Sequence, residues 1–205
     1  NVGSVILRHQ GGTAAKKACA WAAAGSDARM SGCEKPVIIV SGSGNQGITL
    51  ILTIAATASK LGVPEEKMLR AIAFGQAINL YAKHYLGTLS CLCSCSVAAG
   101  LSASAGIVYM MGGDDQQVLD TMRNVLGSIS GMICDGAKAS CAAKIASAVE
   151  AGLLGMEMFR QGSQFVGGDG IVKKGVERTI ASVGRLAHDG MAETDKEIIQ
   201  LMVEN

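Results

Sequence analysis

Between Gly87 and Gly113 the chain reads GTLSCLCSCSVAAGLSASAGIVYMMGG, without one charged side chain. A helix in such a stretch offers no polar face to water, so it must be covered on every side, by lipid or by protein. Its serines and cysteines favour protein. A second uncharged run, Val37 to Ser59, is interrupted by Gly44, Asn45, Gln46 and Gly47 and is read the same way, so no membrane association is expected. Apolar residues make up 49% of the sequence but aromatic ones 3%, so the core has to be built from Ala, Ile, Leu, Val and Met. Helices that approach closely through Ala, Gly and Ser faces achieve this. The expected fold is all-α: a compact bundle of about seven to nine helices, some buried and rich in small residues, in a single domain over 1–205.

A net charge of +1 supplies no basic surface for a nucleic acid backbone. The sequence holds seven cysteines, three of them at Cys91, Cys93 and Cys95. They are too sparse for a secreted disulfide framework and no signal peptide precedes them, which points to a reducing, cytoplasmic setting. The chain begins without Met inside what reads as an element, Val2 to Arg8, and is expected to be the C-terminal part of a longer protein.

Thr13 to Gly25 reads as an alanine-rich helix that Trp21 anchors to the core and Gly25 ends in the left-handed conformation. SDARMSGCEKP then reads as a loop, in which Asp27 and Arg29 either pair, orient a ligand or are solvated, and Cys33 is an incidental thiol. PVIIVSGSGNQG is a short apolar run opening into a glycine-rich turn before a helix from Ile48 to Lys60. Such a turn exposes backbone N–H groups beside a helix N-terminus and suits a carboxylate or phosphate at Ser43, Gly44, Asn45 and Gln46. It equally suits a tight turn with positive φ at Gly42, Gly44 and Gly47. No GK[ST] follows, which excludes a Walker A loop.

Pro64, Glu65 and Glu66 mark a helix start, and that helix runs to about Leu86 with Lys83 and His84 near its end, where they complement the helix dipole. Further helices are expected at Ala98 to Met111, Gln116 to Leu126, Ala142 to Arg160, Gly175 to Asp189 and Glu193 to Val203.

The stretch GMICDGAKASCAAK, Gly131 to Lys144, places Cys134 and Cys141 seven residues apart. On a helix they would share a face with their backbones roughly 10 Å apart, too far for a relaxed disulfide. Two core positions of one helix would show the same spacing, and so would two thiolates approaching a multi-atom iron–sulfur cluster, with Cys91, Cys93 or Cys95 as a third ligand. Asp135 and Gly136 read as a helix start between them.

GSDARMSG, SGSGNQG, the CxC before VAAG, GIVYMMGG, GMICDGAKASCAAK and HDGMAETDKEI together resemble the C-terminal region of a bacterial L-cysteine desulfidase-like family, related to the alpha-type domain of iron–sulfur L-serine dehydratases. The likeness covers nearly the whole chain. It implies a [4Fe-4S] cluster on three cysteines, carried over to Cys134, Cys141 and Cys93, with Cys95 as the alternative upstream ligand and Cys91 an extra thiol. It implies α,β-elimination of a β-substituted L-amino acid: L-cysteine to pyruvate, ammonia and sulfide, or L-serine to pyruvate and ammonia. The reaction requires no PLP. The substrate would sit on the Ser43 to Gln46 loop, with the general base in a segment ahead of this chain. A homodimer is compatible with these expectations. The alternative from another class is a thiol-rich metal-binding or redox-sensing protein without lyase activity.

Overall fold

A computed structural model describes residues 1–9 and 12–204. The order is α1 (Val2–His9), α2 (Ala14–Met30), α3 (Gly44–Gly47), a π-helical turn (Ile48–Leu52), α4 (Thr53–Leu61), α5 (Glu65–Leu86), α6 (Val97–Met110), α7 (Asp115–Ile129), α8 (Cys141–Arg160), α9 (Val176–Arg185), a second π-helical turn (Leu186–Gly190) and α10 (Ala192–Val203). Gly44 to Leu61 is one continuous run. Counted so, the described residues form nine helices and no strand, an all-α bundle as expected.

The centre is α6. Every residue of it except Tyr109 is buried, and α5, α7 and α8 pack around it. Small residues make that enclosure possible. A Cβ added at Gly100 would stand 2.9 Å from the Cβ of Ala148, and one at Gly106 would meet Ile54 at 2.5 Å and the carbonyl of Ala71 at 2.9 Å. The hydroxyls of Ser102 and Ser104 donate to the carbonyls of Ala98 and Gly100, so polar side chains enter this dry helix already satisfied. No helix among the described residues is long and apolar enough to cross a membrane.

Several local expectations change. Helix α2 runs through Gly25 to Met30, because Gly25 is a contact site: its absent Cβ would come within 2.6 Å of Leu52. The presumed loop from Ser26 is therefore helix, and Asp27 accepts a hydrogen bond from the backbone N of Gly3. Trp21 does not anchor to the core; it is 39% exposed, with the Lys17 ammonium 4.7 Å over its ring. Gly42 has the positive φ of a turn, whereas Gly44 and Gly47 are helical. Gly47 is required for a different reason, since a Cβ there would lie 1.8 Å from the carbonyl oxygen of Ile38. Helix α10 forms as expected but buries none of its residues.

Overpacking a filled core typically costs about 1–3 kcal/mol. Gly106→Ala is therefore expected to lower unfolding stability by about 2 kcal/mol, while Gly131→Ala, with nothing within 4 Å, stays within about 0.5 kcal/mol. Urea midpoints of the two variants check this. A second expectation concerns Cys19, whose fully buried thiol is pushed up from 9.0 to about 12 by desolvation, reinforced by Glu150. Below pH 9 both states hold the proton; above it the unfolded chain ionises first, so stability falls as pH rises toward about 12. Cys19→Ala removes this contribution, and its stability is expected to fall less steeply than the wild type's between pH 9 and about 11, read from denaturation curves at each pH.

Candidate functional site

Two segments far apart in sequence meet in a short antiparallel contact. Leu92 bridges to Ile133, Cys93 N donates to the carbonyl of Met132 at 2.8 Å, and Cys134 N donates to that of Cys91 at 2.6 Å. Cys134 is thus extended, not helical, and α8 begins at Cys141. The face expected of one continuous helix does not exist. Instead the chain turns back through Gly136, whose φ of 89° suits glycine, and the Cys141 thiol points to the Gly136 carbonyl at 3.6 Å. Lys144 fastens this loop by donating to Asp135 and, at 3.2 Å, to the carbonyl of Ile133.

Four sulfurs converge as a result. Cys93 and Cys95 lie 3.3 Å apart, Sγ to Sγ, with the Cys134 thiol beside Cys93 and the Cys95 thiol beside Cys141 close enough to shift their titration. Cys93 and Cys141 are drawn toward the thiolate by these thiol donors, Cys141 to about 6, whereas Cys134 and Cys95 are pushed up as the donors. Cys141 also opens α8, where the positive end of the helix dipole favours an anion. Cys91 faces away: its thiol donates to the carbonyl of Ala187 at 3.3 Å. Cys33 is exposed.

These four cysteines line a cavity of about 480 Å³, and Ser43, Gly44, Asn45 and Gln46 line it too. The residues singled out for cluster and substrate therefore share one space. Ser43 caps the helix start, its Oγ accepting from Gln46 N at 3.4 Å. Among the described residues the lining contains no histidine and no carboxylate, so its metal donors are soft thiols, which suit iron–sulfur chemistry in kind. Among the described residues no three His, Cys, Asp or Glu side chains are grouped around a single metal-ion position.

Lys83 takes on an importance that the sequence reading did not give it, and Arg29 stands at the cavity, as one of its readings allowed. Lys83, read as a complement to the dipole of α5, is 7% exposed and donates to the carbonyl of Thr88 at 3.0 Å and to Ser94 Oγ at 2.9 Å. Burial lowers its pKa, and the Cys134 thiol works against that lowering. Its hold on Ser94 fixes the turn that carries Cys93 and Cys95. Arg29 lies in the cavity wall with Nη1 on Asn45 Oδ1 at 3.0 Å. No spacing in the sequence announces Lys83; for Arg29 the signal was present, though the loop assigned to it is helical.

The family described as serine dehydratase alpha chain matches residues 3–200. Among curated proteins, a UPF0597 protein of Desulfitobacterium hafniense is 52% identical over 203 residues, covering 99% of this chain and 47% of the relative. Another, from Lachnoclostridium phytofermentans, is 48% identical over 203 residues, covering 99% and 48%, and one from Finegoldia magna is 44% identical over 199 residues, covering 97% and 48%. The chain spans about half the length of these relatives. No solved structure matches. A match over residues 3–200, nearly the whole chain, establishes that the chain belongs to the serine dehydratase alpha chain family.

Proposed function

We propose that this chain is the cluster-bearing part of an iron–sulfur lyase that eliminates the β-substituent of an L-amino acid. The observation that carries this reading is the single cavity lined by both the cysteine group and the Ser43 to Gln46 helix start. Cys93, Cys134 and Cys141 are assigned as ligands, and Cys95 as the neighbouring thiol. These three cysteines would hold a [4Fe-4S] cluster, which would supply Lewis acidity for departure of the substrate's leaving group.

The chain's own residues supply position and charge. The start of α3 presents backbone N–H groups toward one end of the substrate, and the buried Lys83 holds Ser94 so that the neighbouring cysteines keep their orientation. Loss of the α proton and of sulfide from L-cysteine, or hydroxide from L-serine, gives aminoacrylate, which hydrolyses to pyruvate and ammonia. The general base is assigned to the additional length that the relatives possess, and a homodimer remains part of the proposal. The 3.3 Å contact of Cys93 with Cys95 favours a second reading, a metal-binding or redox-sensing thiol pair without lyase activity.

Iron and acid-labile sulfide, measured after anaerobic reconstitution of the full-length protein, separate the two. The lyase reading expects about four irons per chain in wild type and Cys91→Ser, and loss of most of that iron in Cys134→Ser, Cys141→Ser and Cys93→Ser. It also expects pyruvate from L-cysteine or L-serine in proportion to cluster content. Wild-type protein without iron, in which Cys93 and Cys95 alone take up zinc or oxidise, would sink it.

A further inference from the structure

Arg29 is the one charged side chain among the described residues of the cavity lining. No acidic side chain pairs with it among the described residues. A guanidinium carries five N–H donors, and a single side-chain hydrogen bond, to Asn45 Oδ1, holds this one in place. Gly44 lies directly against it: a Cβ at that position would stand 2.8 Å from Arg29 Nε. Glycine therefore leaves the guanidinium uncovered beside the first turn of the helix. In the same wall Gln46, 1% exposed, has a carboxamide oxygen with no hydrogen-bond partner. A buried polar atom without a partner is costly unless a ligand or water completes it.

These groups complement one ligand class. The planar fork of an arginine matches a carboxylate, and the N–H groups of the helix start add to the attraction. With no carboxylate among the described residues of the lining, an ammonium group has to be received by neutral oxygens, and that of Gln46 is one without a partner of its own. We propose that Arg29 binds the α-carboxylate of the amino-acid substrate, with Gln46 beside it accepting from the ammonium group; this rests on reading the cavity as an amino-acid site. Asn45 is then a positioning residue that aims the guanidinium. Arg29 does not act on the proton or the leaving group. Its part is to fix the substrate so that the β-carbon is turned toward the cysteines.

The test uses the full-length, anaerobically reconstituted protein and L-alanine, which has the carboxylate and ammonium groups but no leaving group. Calorimetric titration is expected to show L-alanine binding at least about tenfold more tightly than L-alaninamide, the loss of about 1.4 kcal/mol that tenfold represents. Arg29→Gln is expected to weaken L-alanine by about tenfold or more and to abolish the preference, and Arg29→Lys to retain part of both. Asn45→Asp sets a carboxylate against Arg29 and is expected to weaken L-alanine as well, which gives a second readout should Arg29→Gln fail to fold. Equal binding of L-alanine and its amide, wild-type affinity in a folded Arg29→Gln protein, wild-type affinity in Asn45→Asp, or no L-alanine binding by the wild type would each overturn the assignment. Tight binding of inorganic phosphate in place of L-alanine would do so too. The lyase reading fails separately, on iron and pyruvate, and a protein that discriminates L-alanine from its amide without turnover would keep the carboxylate site while losing the reaction.

Discussion

The structure depends on a helix that has no outside. Because α6 is enclosed along its length, its neighbours must all approach to the distance that glycine, alanine and serine permit. Close contacts between helices, repeated along α5, α7 and α8, do most of the packing in a chain with 3% aromatic residues, where α6 makes one ring contact, Tyr109 on Phe74. That enclosure fixes where α6 begins. It therefore fixes where the preceding Cys93 and Cys95 are held, and the same packing brings the start of α8 alongside.

Three helices open at the wall of one cavity: α3 after Ser43, α6 after Cys95 and Ser96, and α8 at Cys141. The first N–H groups of α6 and α8 are taken up by the turns before them, Val97 N by the carbonyl of Cys93 and Cys141 N by that of Lys138, but the positive ends of all three dipoles lie at this wall. A site of the kind proposed, gathering thiolates and a substrate carboxylate, would hold several negative charges near each other. The architecture adds helix dipoles to three side-chain cations, Arg29 in the lining, the buried Lys83 on Ser94, and Lys144 on the loop that carries Cys134. Helix dipoles cannot rotate away or be screened by their own flexibility, which makes them better suited than long surface cations to a cavity that must stay open.

Much of the fold was legible because its signals are local. Pro64 with Glu65 and Glu66 starts α5 as read, Gly87 stops it, and the uncharged runs locate the buried helices. Failures occurred where a tertiary contact reuses a residue with a strong local meaning. Gly25 and Gly47 look like terminators or turn residues, yet each is small so that another segment can touch it. Trp21 looks like a core residue, yet an alanine-lined interface has no space for an indole. The cysteine grouping was legible in its members and not in its geometry. Periodicity could put Cys134 and Cys141 on a common helix face, but only the pairing of Leu92 with Ile133 shows that Cys134 arrives on an extended segment. The burial of Lys83 depends on where the chain after Gly87 folds, which no spacing within α5 encodes.

The π-helical turn at Ile48–Leu52 separates two demands placed on one continuous helix. Each residue of an α-helix advances about 100° around the axis, so the wider turn shifts the phase of everything beyond it. Upstream, Asn45 and Gln46 address the cavity; downstream, Ile54 and Ala58 address the core. The core half is locked by the enclosure of α6 and cannot turn. The wide turn lets the first four residues take a different azimuth from the one the core would dictate. Cavity-facing and core-facing positions can therefore accumulate changes independently along a single unbroken rod.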